Sequence, residues 1–194
     1  KYLGVIFDSH LHWGHHFAYI CQKLSYACYI LLKARQCFDS STLKIIYFSI
    51  FHCHLTYCTE TWGTTYDTYL TPIMGLQKRA IRIITNSHYT QASSILFHHL
   101  SILPLHKLVK YKIATLFHEI VTSNNPFPIT ILLKGFRQTR ANLSGHFNLP
   151  QCHNVYGERL IQFCGTKIWN ALSNDLRNSH TFSKALKHYL LLST

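Results

Sequence analysis

Acid is the scarcest chemistry in this chain: its 194 residues hold 7 Asp and Glu against 19 Lys and Arg. The seven carboxylates are Asp8, Asp39, Glu60, Asp67, Glu119, Glu158 and Asp175, and no two are adjacent. Polymerase or nuclease chemistry on two metal ions needs carboxylates that converge on the ions, and this spacing offers no pair for the task. Asp8 and Asp39 read as turn or cap residues. A Gly-rich phosphate loop and a serine nucleophile elbow are both missing. So is any Cys-x-x-Cys pair. Cys53 and Cys58, with His52 and His54 beside them, have a ligand-like composition, but on a helix the two cysteines point in different directions. Cys152, His153 and Cys164 are similarly unpaired, so structural zinc is not expected. No run of about 18 apolar residues is free of charged or polar groups, which argues against a membrane span. Repeats and low-complexity tracts are absent as well. The opening Lys1 to Asp8 is neither a signal peptide nor an initiator-Met start; it reads like the middle of a strand, and the expectation is an excerpt of a longer product.

What is present is apolar and basic. A hydrophobic content of 47%, with 12 Phe and 12 Tyr, is enough for one or two cored domains and too aromatic for a disordered chain. The formal charge is +12. Its distribution matters more than its size. Between Asp67 and Glu119 there is no carboxylate, yet Lys78, Arg79, Arg82, Lys107, Lys110 and Lys112 fall there. Between Glu119 and Glu158 there is again none, with Lys134, Arg137 and Arg140 inside. Such fields attract polyanions, and nucleic acid is the reading preferred over a solvated basic surface or an anionic membrane. The seven cysteines, odd in number and mostly flanked by apolar residues, read as reduced thiols of an intracellular protein and mostly as small core residues.

The hydrophobic period is helical over most of the chain. Tyr2 to Phe7, a turn at Asp8-Ser9-His10, and Leu11 to Trp13 predict a short β-hairpin. From about His15, the residues Phe17, Ile20, Cys21, Leu24, Ala27, Cys28, Leu31 and Leu32 form one stripe. A second helix opens after Asp39-Ser40-Ser41, burying Leu43, Ile46, Tyr47, Ile50, Phe51 and His54, and ends at Trp62-Gly63. A third covers roughly 66–85 with Leu70, Ile73, Leu76, Ala80, Ile81 and Ile84 inward, and its Pro72 suits a first turn or a kink. A short helix from Ala92 to Leu100 precedes Pro104, a favoured first-turn residue for a long helix to about Val121. Ser123 to Pro128 is the clearest boundary. Beyond it, short β-like pieces are expected at His146–Leu149 and Arg159–Cys164, and helices near Thr166–Arg177 and Thr181–Leu192.

The constellation of most interest is Leu76-Gln77-Lys78-Arg79-Ala80-Ile81-Arg82-Ile83-Ile84. Lys78 and Arg82 stand one turn apart, and Arg79 and Arg82 three residues apart, on the side away from the apolar stripe. Phosphates along a strand lie roughly 7 Å apart, so such a helix meets successive ones. A solvated helix face explains the same pattern equally well.

Taken in order, four stretches resemble the C-terminal part of a non-LTR (LINE-type, Jockey/CR1-like) retrotransposon reverse transcriptase. Lys1 to Val5 followed by Trp13 resembles motif E, the primer grip that ends the palm. Leu55-Thr56-Tyr57-Cys58 and then Trp62-Gly63 resemble the family's Trp-Gly signature. Leu76 to Ile84 is the most specific match. Gly165-Thr166-Lys167-Ile168-Trp169-Asn170-Ala171-Leu172, with a terminal helix holding Phe182 and Leu186, resembles the tail of these elements. The sequence departs from the family at Cys53, where Pro is common, at Glu60, usually apolar, and at Gly14, where a polar residue is common.

The resemblance implies a mainly α fold: a primer-grip-like hairpin (1–14), a helical thumb-like domain (15–122) and a small α+β C-terminal region (123–194). It implies that Tyr2, Leu3 and Gly4 hold the primer end and that Lys78, Arg79, Arg82, Lys107 and Lys110 contact phosphates of a template–primer RNA–DNA hybrid. The polymerase carboxylates with their Mg2+, and the palm, fingers and endonuclease, would lie upstream of Lys1. This chain would then hold no cofactor, touch no membrane, catalyse nothing alone, and belong to an element acting in nucleus and cytoplasm. Rival readings are a decayed relic without selected activity, a generic basic nucleic-acid-binding helical domain and, weakest, a zinc-dependent enzyme.

Overall fold

A computed structural model describes residues 1–122 and 145–193. Helix accounts for 69% of the described residues and strand for 1%, so the chain is mainly α and no sheet forms among them. The expected boundary at Ser123 to Pro128, together with Lys134, Arg137 and Arg140, lies outside the described residues. Two compact units are formed, Lys1–Leu108 and Val109–Thr194.

In the first unit the helices follow the apolar periods. α1 (Gly14–Ala34) buries Phe17, Ile20, Leu24, Ala27, Cys28 and Leu31 of its expected stripe, while Cys21 is half-buried and Leu32, at the stripe's edge, is exposed. α2 (Ser40–Tyr47) starts at Asp39, whose carboxylate accepts the Thr42 amide at 3.2 Å and a second bond from the Ser41 hydroxyl. These bonds, that of Ser41 foremost, hold the Asp39 carboxyl down to about 2. A π-helical turn (Phe48–His52) continues α2 into α3 (Cys53–Thr56). Leu43, Tyr47, Phe51 and Leu55, spaced four apart, are all 2% exposed or less and form the buried seam of this rod. Ile46, Ile50 and His54, expected inward, flank it half-buried. α4 (Thr59–Trp62), α5 (Asp67–Thr85) and α6 (Ser93–Leu100) follow. α7 (Leu105–Thr122) begins one residue after Pro104, whose carbonyl accepts from Lys107 and Leu108 at 2.9 Å each.

The joints carry left-handed residues other than glycine. Trp13 (φ 65) precedes α1, Cys58 (φ 51) precedes α4, Asn86 (φ 51) follows α5 and Ser101 (φ 54) follows α6. At the last two, the next amide closes back on the helix: Ser87 to the Arg82 carbonyl at 3.1 Å and Ile102 to Phe97 at 3.0 Å, a Schellman closure.

Four expectations are corrected. The N-terminal hairpin shrinks to one antiparallel bridge, Tyr2 with Val5, because the chain turns away at once under the pull of Asp8 (below) and no partner strand forms. The C-terminal β-like pieces are not strands. Arg159–Cys164 ends α8 (Val155–Arg159) and starts α9 (Ile161–Ala171), and the irregular His146–Leu149 segment satisfies Phe147 with a side chain: Asn170 accepts its amide at 3.0 Å and donates to its carbonyl at 2.8 Å. The helix predicted over Thr166–Arg177 breaks at Leu172 and Ser173, both extended, into α9 and α10 (Asn174–Arg177). Nor are the cysteines mostly core. Cys28 is buried, Cys37 and Cys53 are exposed, and the other four are half-buried. All seven are free thiols, as the odd count suggested.

The second unit is built on aromatic rings. Phe117 of α7 meets Phe147 and Trp169 of α9, each at 5.6 Å between centroids, and His118 stacks on Phe182 of α11 (Phe182–Leu192) at 4.2 Å. Gly165 admits this: a β-carbon there would fall 2.5 Å from Cδ2 of Phe117, a ring that is 1% exposed and cannot swing aside. Helix propensity alone favours Ala over Gly by about 1 kcal/mol. The overlap reverses that sign. Gly165→Ala is expected to lower stability by about 1–3 kcal/mol, read as a fall of several degrees in thermal unfolding followed by circular dichroism.

Candidate nucleic-acid interface

α5 is amphipathic in a way that fixes its basic side chains. Leu70, Ile73, Gln77, Ala80, Ile81, Ile83 and Ile84 are buried, and Leu76, expected inward, is half-buried. Pro72 lies inside the helix, past its first turn, on the exposed side. At about 100° per residue, Lys78, Arg82 and Arg79 share an open arc of about 100°. Arg79 is exposed and Lys78 half-buried. Arg79 also lies close enough to the buried Cys28 to offset part of the burial that pushes that thiol up to about 11. Arg82 is tied more closely to the fold. Its Nη2 donates to the Gln91 carbonyl at 3.2 Å, holding the loop after α5, while its Nε is buried with no acceptor among the described residues. Lys107 and Lys110 stand on a different helix, α7, where Lys107 is half-buried and Lys110 exposed. The structure thus brings Lys78, Arg79 and Arg82 onto one helix face and leaves Lys107 and Lys110 as a separate pair three residues apart.

Tyr2, Leu3 and Gly4 form the tip of the N-terminal turn. Tyr2 and Val5 exchange amide–carbonyl bonds of 2.8 and 2.9 Å, and Leu3 (φ 43) and Gly4 (φ 85) turn the chain between them. Tyr2 and Leu3 are 69% and 72% exposed. The turn is fastened from α3's end: the Tyr57 hydroxyl donates to the Leu3 carbonyl, and a β-carbon at Gly4 would sit 3.5 Å from the Tyr57 ring. Behind the turn, Asp8 accepts the amides of His10 (3.0 Å), His12 (2.9 Å) and Trp13 (2.7 Å). Those bonds, led by that of His12, hold its carboxyl below the usual range. Glu60, Asp67, Glu158 and Asp175 each sit in the first turn of a helix, where the helix dipole favours negative charge. Most of the acids therefore have local structural work.

The segment ends on Trp13, which packs against Phe7 (5.2 Å) and His16 (6.1 Å). His16 is 2% exposed, accepts the Ile6 amide on Nδ1 at 3.4 Å and meets Trp62 at 6.0 Å. Burial holds its imidazole below the ordinary 6.5. The folded state resists a proton that the unfolded chain takes up near that value, so the stabilisation is full above about pH 6.5 and is lost as pH falls below it. Melting curves from pH 7.5 to pH 5 should show stability falling on acidification, and falling less in His16→Leu. Equal slopes in the two proteins would contradict the assignment.

Several residues quoted for the resemblance prove to be structural. Trp62 is fully buried, donates from Nε1 to the Tyr57 carbonyl at 3.0 Å and meets Phe17 edge-on at 5.5 Å. Trp169 donates to the Gly145 carbonyl at 3.1 Å, and Arg177, buried among carbonyls, donates to Leu172 at 2.7 Å and Asn170 at 3.2 Å. Gln77 carries the heaviest load. It is 1% exposed, its Nε2 reaches the Tyr47 hydroxyl (3.2 Å) and the Leu103 carbonyl (3.0 Å), and its Oε1 accepts the Leu105 amide (2.8 Å). A glutamine between a leucine and a lysine gave no signal for this; its place on the inward side of α5 was the only hint. Gln77→Leu leaves three buried polar groups unpaired, and a loss of about 3 kcal/mol or more is expected, measured by urea unfolding. Comparison of the chain with protein-family models, with curated proteins and with solved structures finds no match to any of them.

Proposed function

We propose that this chain is a non-catalytic grip for a template–primer RNA–DNA hybrid, the thumb and tail of a non-LTR reverse transcriptase. The observation that carries the reading is the face of α5: Lys78, Arg79 and Arg82 on an open arc of a helix whose opposite side is locked into a core by Gln77, Ile81 and Ile84. Rigid placement matters, because phosphate contacts gain from side chains whose backbone does not have to be ordered on binding. A window from Asp67 to Glu119 with no intervening carboxylate keeps repulsion of the polyanion low. Lys107 and Lys110 extend the phosphate contacts along α7. Tyr2, Leu3 and Gly4 sit at the primer end, where the exposed turn lets its backbone come close to sugar. On this reading Mg2+ and the polymerase carboxylates belong to a palm outside the chain, the remaining partners are the parent's fingers and endonuclease, and the parent works in nucleus and cytoplasm.

Binding to a labelled RNA–DNA hybrid, followed by fluorescence anisotropy across salt concentrations, tests the proposal. Affinity should fall steeply and linearly in log–log form, and Lys78→Ala with Arg79→Ala should weaken binding and flatten the slope by about one per residue removed. A flat salt response, or no binding at low salt, would sink the reading in favour of a relic with no selected activity.

A further inference from the structure

The outward side of α1 carries a second, different chemistry. At about 100° per residue, Tyr19, Lys23, Tyr26, Tyr29 and Lys33 fall within about 120° of the helix circumference. The buried Ile20, Leu24, Ala27, Cys28 and Leu31 occupy the other side. Tyr26 is 65% exposed and Tyr29 54%. Ammonium groups already sit by the ring faces: Lys23 Nζ lies 5.7 Å from the Tyr19 centroid, Lys1 5.0 Å from the same ring, and Lys33 5.7 Å from Tyr29. From Asp8 to Asp39 the sequence has no carboxylate, so no acid on this helix competes for those cations.

Open aromatic faces interleaved with lysine are the combination that holds single strands: bases stack on the rings while cations follow the backbone. A duplex cannot use the rings, because its base faces are already covered. A membrane-surface helix buries a broad apolar side of aliphatic and aromatic groups, whereas the only aliphatic side chain in this arc is Ile30, itself half-buried. The dimensions suit a short stretch of strand. Tyr26 and Tyr29 are surface neighbours three residues apart, about 5–6 Å between β-carbons, and Lys23 and Lys33 bracket them over about 15 Å of helix axis. We propose that the face of Lys23, Tyr26, Tyr29 and Lys33 is a platform for single-stranded nucleic acid, with bases on the two tyrosines and flanking phosphates on the two lysines. It shares no residue with the α5 face, so the two proposals stand or fall separately.

The test uses the full chain, a labelled 12-nucleotide oligo(dT) and, in parallel, an RNA–DNA hybrid. Wild type should bind oligo(dT) at low salt, and Tyr26→Ala with Tyr29→Ala should weaken that binding tenfold or more while leaving the hybrid unaffected. Tyr26→Phe with Tyr29→Phe should bind as wild type, since the ring and not the hydroxyl is used. Lys78→Ala with Arg79→Ala should do the reverse, weakening hybrid binding and keeping oligo(dT). The proposal is overturned if wild type does not bind oligo(dT), if the alanine pair binds it undiminished, or if Tyr26→Leu with Tyr29→Leu binds as well as wild type. It is equally overturned if the alanine pair instead abolishes binding to phosphatidylserine vesicles and spares oligo(dT). Unchanged far-ultraviolet circular dichroism in each variant shows that the exposed substitutions have left the fold intact.

Discussion

One buried carboxamide ties the first unit together. Gln77 presents both ends of its side chain to groups that water cannot reach: the hydroxyl of Tyr47 on α2, the carbonyl of Leu103 in the preceding loop, and the first amide of α7. An amide of this kind costs free energy to bury unless its donor and acceptor are both used, and here both are. That requirement fixes the rotation of α5 about its own axis. Once Gln77 faces inward, Lys78 and Arg79 have no choice but to face out, so the basic arc is a geometric consequence of a neutral residue beside it.

The second unit solves a similar problem with rings and one arginine. Asn170 imitates a neighbouring strand for Phe147, Trp169 and Arg177 collect the carbonyls around Gly145, and Gly165 yields its side-chain space to Phe117. Burial among carbonyls lowers the Arg177 guanidinium from its ordinary range, yet five donors in a planar fork suit a site lined with acceptors. Residues that look like a signature in sequence are thus the pieces that close this unit.

Helices were legible because their stripes were long: the inward sides of α1 and α5 largely follow the period of the sequence, and Asp39 marks its helix start by its chemistry. What escaped was long-range or competitive. The β-like run of Arg159 to Cys164 has strand-forming residues but no strand to pair with, so it joined helices. The hairpin at Tyr2 lost its second arm to Asp8, a contest between one carboxylate and a ladder that composition does not decide. Gln77 and Tyr57 act on partners 28 and 54 residues away in sequence, beyond any local pattern. Of the candidate contacts, the face shared by Lys78, Arg79 and Arg82 was readable from spacing; the tether of Arg82 to Gln91 was not.

The left-handed joints bear on how such a chain tolerates change. Cys58 and Ser101 hold a backbone shape that only glycine adopts without cost. Ser101 is exposed and contributes no core surface. Glycine at either corner would therefore relieve about 1 kcal/mol of backbone strain. The two corners together could offset one or two substitutions of ordinary cost elsewhere in the first unit.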